Sequence, residues 1–138
     1  MDKLYLDTNV ILDYLQRRPG REYIESLLKL ADKEAIILVT SVLNFATIFY
    51  LERKVGYSTS QIINRFSSLN RVILPVDQTV KSYESALQSG FSDFEDALQN
   101  FAAIESSCDY LITGNKKHFK KSVLQVLTSK EMIARLNK

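Results

Sequence analysis

The most constraining feature of the sequence is the alternation of short apolar runs with longer segments of helical periodicity. Residues 35–39 form a continuous run rich in β-branched side chains, which is typical of a strand buried on both faces of a parallel sheet. Other strand candidates are residues 4–6, 71–74 (ended by Pro75), 109–113 and 123–127. This order predicts an α/β fold, a three-layer α/β/α sandwich with a central, mostly parallel sheet of four to five strands.

Helical spacing of apolar residues fills the segments between these runs. The first predicted helix starts with residues 10–15 and stops near Pro19 and Gly20. The other predicted helices cover residues 24–31, 41–54 with Ser41 as the cap, 59–69, 78–88, 93–105 and a short last helix opened by Thr128 or Ser129. Strands that alternate regularly with helices indicate successive βαβ units, which build a parallel sheet with helices on both faces.

Length and composition predict one domain, residues 1–138, in a reducing compartment. Of the 138 residues, 46% are hydrophobic and 25% charged, and the net charge of +2 permits nucleic acid binding without indicating it. Cys108 is the only cysteine, so no internal disulfide can form, and we expect an inert buried thiol. The start shows no signal-peptide pattern, and the most apolar stretch is about half of the ~20 residues that a membrane span needs. We therefore expect a cytoplasmic protein without membrane contact.

Polar residues follow the first and the fourth predicted strands, at positions 7–9 (DTN) and 113–115 (TGN). In open parallel sheets, binding sites form beyond the carboxyl ends of the strands, where the strand order reverses. Simpler interpretations also hold, because Asp7 could cap the following helix and residues 113–115 could form an ordinary turn.

A third polar group opens the predicted helix over residues 93–105. Asp93 and Asp96 are three residues apart and share a helix face, which Asn100 continues. Periodicity alone favours a solvated face for these residues. Ser92 and Glu95 have the spacing of a capping box, which would place Asp93 in the first helical turn.

Four lysines and a histidine follow the fourth predicted strand: Lys116, Lys117, His118, Lys120 and Lys121. A run of charge is usually a solvated surface. Beside a strand end that could hold a metal ion, it could also bind phosphates. His118 is expected at the surface or on a phosphate, and not as a metal ligand.

Three segments, in this order, resemble blocks of the PIN domain family. They are LDTNVIL at residues 6–12, DFEDALQ at 93–99 followed by FAA at 101–103, and CDYLITGNKKHF at 108–119. Together they span most of the chain. The family consists of metal-dependent nucleases of single-stranded RNA, and many members, the VapC-like ones, are toxins held in check by a partner antitoxin.

The resemblance implies a set of functional residues. Asp7 and Asp96 would bind Mg²⁺ or Mn²⁺ directly, and Asp93 and Asn115 would act with them in catalysis by orienting water. Supporting hydrogen bonds would come from Asn9, Thr113, Thr47 and Asn44. The RNA backbone would be steered by Lys116 and Lys117.

One position departs from the family pattern. The helix after the second strand usually carries a glutamate, and in SVLNFATI, residues 41–48, Thr47 takes that position with Asn44 one turn earlier. These two polar residues in an apolar helix could face the site or simply bond internally. Glu52 lies further along the helix and is not assigned as the ligand. Without the second acid, metal affinity should fall, and a second ion becomes doubtful.

The resemblance therefore implies a metal-dependent endoribonuclease, the toxin of a toxin–antitoxin pair, with RNA as substrate, a cognate antitoxin as partner and a homodimer as the assembly. A catalytically weak or inactive PIN-fold module that binds RNA or an antitoxin is the main alternative, supported by Thr47. An unrelated phosphotransfer domain with Asp7 as nucleophile is disfavoured, because no Gly-rich phosphate loop is present.

Overall fold

The computed structural model describes all 138 residues, Met1–Lys138, and the chain forms one five-stranded sheet flanked by helices. The strands are β1 (Lys3–Leu6), β2 (Ile37–Ser41), β3 (Ile73–Val76), β4 (Tyr110–Ile112) and β5 (Gln125–Leu127). Their order is β3-β2-β1-β4-β5, and all four neighbouring pairs are parallel. The predicted α/β class with a parallel sheet is confirmed.

Seven α-helices and one 3₁₀ helix connect the strands. They are α1 (Thr8–Leu15), α2 (Arg21–Asp32), α3 (Val42–Lys54), α4 (Thr59–Leu69), α5 (Val80–Leu87), α6 (Phe94–Glu105), the 3₁₀ helix (Lys116–Phe119) and α7 (Ser129–Leu136). Ser41 caps α3 as predicted, and Thr128 forms a capping box with Glu131 at the start of α7. None of the helices combines the length and the apolar composition that crossing a membrane requires.

Side chains on the two faces of the sheet enter two separate apolar layers. Leu4 and Leu6 of β1 belong to the larger core, which also contains residues of α1, α2, α3 and α7. Tyr5, between them, belongs to the smaller core together with Ala102 and Ala103 of α6. This alternation along β1 is the period-two geometry of a strand, and it places helices on both faces of the sheet.

The third strand corrects one predicted boundary. We expected Pro75 to end the strand, but β3 includes it, and Pro75 pairs in register with Thr40 of β2. The strand lies at the edge of the sheet, where one side has no neighbour and a missing backbone N–H is tolerated.

The strand order reverses between β1 and β4, which sets the place of a site. The chain proceeds from β1 outward through β2 to β3, then returns to the other side of β1 for β4 and β5. Leu6 pairs with Ile112, and the backbone N–H of Asp7 donates to the carbonyl of Ile112 at 3.0 Å. The residues that follow β1 and β4 are therefore neighbours, at the switch point where open α/β sheets bind ligands.

Candidate active site

Asp7 is the buried centre of the candidate site. It is 4% exposed, and both carboxylate oxygens accept hydrogen bonds, Oδ1 from Gln99 Nε2 at 2.9 Å and Oδ2 from Thr113 Oγ1 at 2.8 Å. Burial raises the pKa of Asp7, and these two bonds oppose the rise. Asp7 stands at the N-cap position of α1 without a side-chain cap bond, so capping does not account for it. Each oxygen keeps a second lone pair for a further partner.

Gln99 links Asp7 to the helix where the family carries its glutamate, and sequence reasoning missed it. Its Oε1 accepts from the backbone N–H of Thr8 at 3.2 Å and from Asn44 Nδ2 at 2.9 Å. Asn44 Nδ2 also lies 2.8 Å from Thr40 Oγ1 and 3.0 Å from Tyr5 Oη, although an amide can donate to only two acceptors at once. Asn44 therefore reaches Asp7 through Gln99. The available signal was a glutamine three residues after Asp96, on the same face of a helix.

Asp96 lies close enough to Asp7 for their charges to interact. Its side chain is 14% exposed. Burial raises the pKa of Asp96 to about 6, and the negative charges of Asp93 and Asp7 contribute to the rise. Folding thus brings together carboxylates that are 89 positions apart in the sequence (96 minus 7). Their mutual repulsion makes a cation favourable between them.

The start of α6 differs from the predicted one. Asp93 is the N-cap residue, and its Oδ1 accepts from the backbone N–H of Asp96 at 3.0 Å, so the proposed capping box of Ser92 and Glu95 is wrong. The solvated-face interpretation is also wrong beyond the first turn, because Asn100 is 2% exposed. The N-cap is Asp93 and not Ser92, a shift of one residue, because an aspartate caps a helix as well as a serine does.

The donor set fits one divalent cation. Asn100 lies one turn after Asp96, and its buried Oδ1 accepts no hydrogen bond. Unpaired buried oxygens are rare, and with Asp7 and Asp96 this one supplies the hard oxygen chemistry that Mg²⁺ and Mn²⁺ prefer. No group of three or more His, Cys, Asp or Glu side chains is arranged to hold a metal ion. The residues thus fit an ion that keeps several waters, and they do not form a closed protein cage.

The loop after β4 closes the other side of the site. The backbone N–H of Asn115 donates to Thr113 Oγ1 at 3.1 Å, and its Nδ2 lies 3.0 Å from His118 Nε2. His118 is exposed as predicted, but sequence reasoning missed that its Nδ1 lies 3.3 Å from Asp96 Oδ2. Charge on His118 lowers the pKa of Asp96, against the effect of burial.

Three of the predicted residues stand apart from this cluster. The Asn9 side chain is exposed and makes no hydrogen bond, so it does not reach the Asp7 carboxylate. Thr47 Oγ1 donates to the carbonyl of Leu43 at 3.4 Å. Of the two alternatives for Thr47, facing the site or bonding within its own helix, the structure has the second. Lys116 Nζ is held by the Glu131 carboxylate at 3.0 and 3.1 Å.

The family model of the PIN domain matches residues 3–117. The chain belongs to the PIN domain family. This agrees with the three sequence blocks and with the parallel sheet, at whose switch point Asp7 lies. No curated protein matches the chain in sequence.

Two solved structures have the same fold as this PIN domain. One is described as VapBC2 from Rickettsia felis bound to a DNA fragment from their promoter, with 21% identity, a TM-score of 0.68 and coverage of 91% of this chain and 96% of that chain. The other is VapBC-1 from nontypeable Haemophilus influenzae, with 21% identity, a TM-score of 0.63 and coverage of 93% and 98%. At this identity the likeness establishes the fold.

The acidic residue that follows Thr47 along α3 belongs to a different cluster. Glu52 is fully buried, its Oε1 lies 2.7 Å from Arg65 Nη1, and its Oε2 accepts from Gln16 Nε2 at 3.2 Å. Arg65 also donates to the carbonyl of Leu15 and stacks on the Tyr57 ring. Glu52 therefore serves the packing of α1, α3 and α4, and the PIN domain carries no glutamate on α3 that reaches Asp7.

Proposed function

We propose that this PIN domain is a metal-dependent endoribonuclease that cleaves single-stranded RNA, and that it is the toxin of a toxin–antitoxin pair. The observation that carries the proposal is the approach of Asp96 to Asp7 at the switch point of the sheet. Gln99, three residues after Asp96 on α6, donates a hydrogen bond to Asp7 Oδ1 at 2.9 Å, and the negative charge of Asp7 contributes to the raised pKa of Asp96. Two neighbouring carboxylates, one of them already oriented by two hydrogen bonds, suit a hydrated Mg²⁺ or Mn²⁺ ion.

Asp7 and Asp96 would hold the ion, with Asp93 and Asn115 orienting water beside it. When bound, a divalent cation lowers the pKa of a coordinated water and polarises the phosphoryl group. Gln99 and Thr113 fix the Asp7 carboxylate so that it need not reorganise on binding. The exposed side chain of Lys117 would attract the RNA backbone, which gives salt-sensitive binding with little sequence preference.

The partners follow from the same proposal. The two similar structures described above are VapBC toxin–antitoxin complexes, which supports a cognate antitoxin as the protein that restrains this chain. We also propose that the chain acts as a single domain, forms a homodimer and works in the cytoplasm, where its RNA substrates are found.

A ribonuclease assay tests the activity. The purified chain is incubated with single-stranded RNA in Mg²⁺, in Mn²⁺ and in a chelator, beside Asp7→Asn and Asp96→Asn. We expect cleavage that needs the metal and both aspartates, and no loss in Asp32→Asn, a matched control at the end of α2. Equal activity of the wild type, Asp7→Asn and Asp96→Asn would refute the assignment.

A second candidate function is a non-catalytic PIN module that binds RNA or an antitoxin. It is favoured by α3, where Thr47 bonds only within its own helix and Asn44 is held by neutral partners. Titration with Mn²⁺ separates the two functions, since a pure binding module need show no metal affinity that depends on Asp7.

A further inference from the structure

A small basic cavity lies beside the acidic cluster, on the side of the 3₁₀ helix. We call it the lysine pocket; its volume is about 170 Å³, and it is lined by Gly90, Phe91, Ser92, Lys117, His118, Lys120 and Lys121. Phe91 is its one apolar lining residue, and no carboxylate lines it. Cavities for uncharged ligands are mostly apolar, so this lining points to an anion.

The pocket is held in shape by contacts between its two walls. Lys121 Nζ donates to the carbonyl of Gly90 at 2.6 Å, which ties the segment after the 3₁₀ helix to the loop before α6. Gly90 has φ +74, and a Cβ there would lie 3.2 Å from Lys121 Nζ. Beneath the loop, the ring of Phe91 packs edge-on against Phe119, with centroids 6.4 Å apart. These contacts join the two walls of the pocket in the absence of a ligand.

The charge of the pocket is uncompensated. Lys117, Lys120 and Lys121 form no ion pair with any carboxylate of the chain, whereas the neighbouring Lys116 is neutralised by Glu131. Three lysines that line one cavity and have no counter-ion within the chain favour an anion between their ammonium groups.

The position of the pocket relates it to the acidic cluster. His118 lines the pocket, and its Nδ1 also lies 3.3 Å from Asp96 Oδ2. The imidazole therefore stands between the residues proposed to bind the metal ion and the lysines. If RNA runs from the metal ion proposed at Asp96 past His118, the phosphate next to the one at the metal would lie at the lysine pocket.

We propose that the lysine pocket binds the backbone phosphate next to the one that is cleaved, through Lys117, Lys120 and Lys121, with the Ser92 hydroxyl as a further donor. The inference rests on the proposed function, since it takes RNA as the substrate, and it revises the residues that hold the RNA. Lys120 and Lys121 join Lys117 in this role, and Lys116 leaves it. Lysines bind phosphate as point charges, so the pocket reads the backbone and not the bases.

The test measures binding without catalysis. A fluorescent single-stranded 2′-O-methyl RNA, which lacks the free 2′-hydroxyl and ends in 5′-hydroxyl, is titrated by anisotropy in a chelator at several salt concentrations. Lys120→Gln/Lys121→Gln is compared with Lys33→Gln/Lys54→Gln, which removes the same charge where helices α2 and α3 end, away from the switch point. The single variant Lys120→Gln leaves the Lys121–Gly90 contact intact and guards against a folding defect.

We expect the pocket variant to bind about tenfold more weakly, with a slope of log K against log salt that is shallower by about 1.4, or 0.7 for each lysine removed. The control should bind like the wild type. An unchanged affinity of the pocket variant, or an equal loss in the control, would overturn the proposal. A loss of affinity that appears only with a 5′-phosphorylated RNA would also overturn the proposal. The pocket would then bind the terminal 5′-phosphate of the RNA and not a backbone phosphate.

This experiment separates the two proposals. Binding that depends on the pocket in a protein that cleaves no RNA would leave the lysine pocket standing and remove the nuclease function. RNA cleavage by a pocket variant that binds as tightly as the wild type would leave the nuclease function standing and remove the pocket.

Discussion

Gln99 Nε2 donates a hydrogen bond to Asp7 Oδ1 across 2.9 Å, and this bond joins α6 to the end of β1. The same side chain accepts from Thr8 and Asn44 through Oε1, so one amide connects three elements around a buried carboxylate. Because Asp96 lies three residues before Gln99 on the same helix face, the bond also fixes the position of the second proposed ligand.

Replacing Gln99 by leucine should therefore affect both folding and metal binding. The change removes the partner of Asp7 Oδ1 and of the Thr8 backbone N–H, while Asn44 Nδ2 keeps Thr40 and Tyr5, and we expect the free energy of unfolding to fall by about 1–3 kcal/mol. Loss of a supporting hydrogen bond on a ligand should weaken Mn²⁺ binding about 10- to 100-fold. Denaturant unfolding and metal titration measure the two effects.

Gln88→Leu is the matched control, because Gln88 is exposed at the end of α5 and makes no side-chain hydrogen bond. A Gln99→Leu protein with unchanged Mn²⁺ affinity would show that Gln99 supports the fold without positioning Asp7.

The raised pKa of Asp96, about 6, predicts how stability depends on pH. The folded protein holds this proton more tightly than the unfolded chain, in which an aspartate has its ordinary pKa of 3.8. Asp96 therefore contributes to the free energy of unfolding in full below pH 3.8, and this stabilising contribution is lost as the pH rises through about 6. Without metal, we expect Asp96→Asn to be more stable than the wild type near neutral pH, with the difference vanishing below about pH 4.

Urea unfolding of both proteins across this range, in a chelator, measures the difference in stability. A difference that stays constant between acidic and neutral pH would contradict the raised pKa. Asp32→Asn, at the end of α2, is a suitable control. Asp109→Asn is not, because the Asp109 carboxylate accepts a hydrogen bond from the Lys3 backbone N–H.

Thr47→Glu should restore part of the acidic site. Thr47 is half-buried on α3, one turn after the Asn44 that contacts Gln99, and the longer side chain of a glutamate there would extend a carboxylate towards the Asp7 cluster. We expect Mn²⁺ affinity to rise about tenfold, with a matching gain in cleavage. Thr47→Gln has the same size without the charge. If both variants bind Mn²⁺ like the wild type, position 47 does not face the metal.

Glu52→Gln should destabilise the fold without changing the metal site. Glu52 is fully buried beside Arg65, and the loss of its charge leaves a partly buried guanidinium without its counter-ion. Removing one partner of a buried pair costs about 3–5 kcal/mol. Chemical denaturation should show this loss while Mn²⁺ affinity stays that of the wild type. A large drop in metal affinity would mean that α3 couples the two clusters.

Local signals in the sequence were sufficient for the elements of the fold. Apolar runs and helical spacing predicted five strands, and the bounds of α4 are the predicted ones, residues 59–69. The closeness of Asp7 and Thr113 followed from a general rule, since both residues leave neighbouring parallel strands at the switch point. The hydrogen bond between them was an implication of the family resemblance, and the structure contains it.

The contacts between distant elements could not be predicted in the same way. The bond of Gln99 to Asp7 and the approach of His118 to Asp96 depend on how α6 and the 3₁₀ helix pack on the sheet, which no local pattern encodes. Likewise, the sequence showed a run of lysines but not which of them a carboxylate neutralises. Only the fold separates Lys116, bound to Glu131, from the lysines of the pocket.

Calorimetric titration with Mn²⁺ tests most directly whether Asp7 and Asp96 share a cation. The wild type, Asp7→Asn, Asp96→Asn and the double variant are titrated at neutral pH. We predict one site per wild-type chain, at least about a tenfold loss of affinity in each single variant, and no further loss in the double variant beyond the weaker single one. Single variants that bind like the wild type, or losses that simply add as for independent sites, would contradict a shared ion.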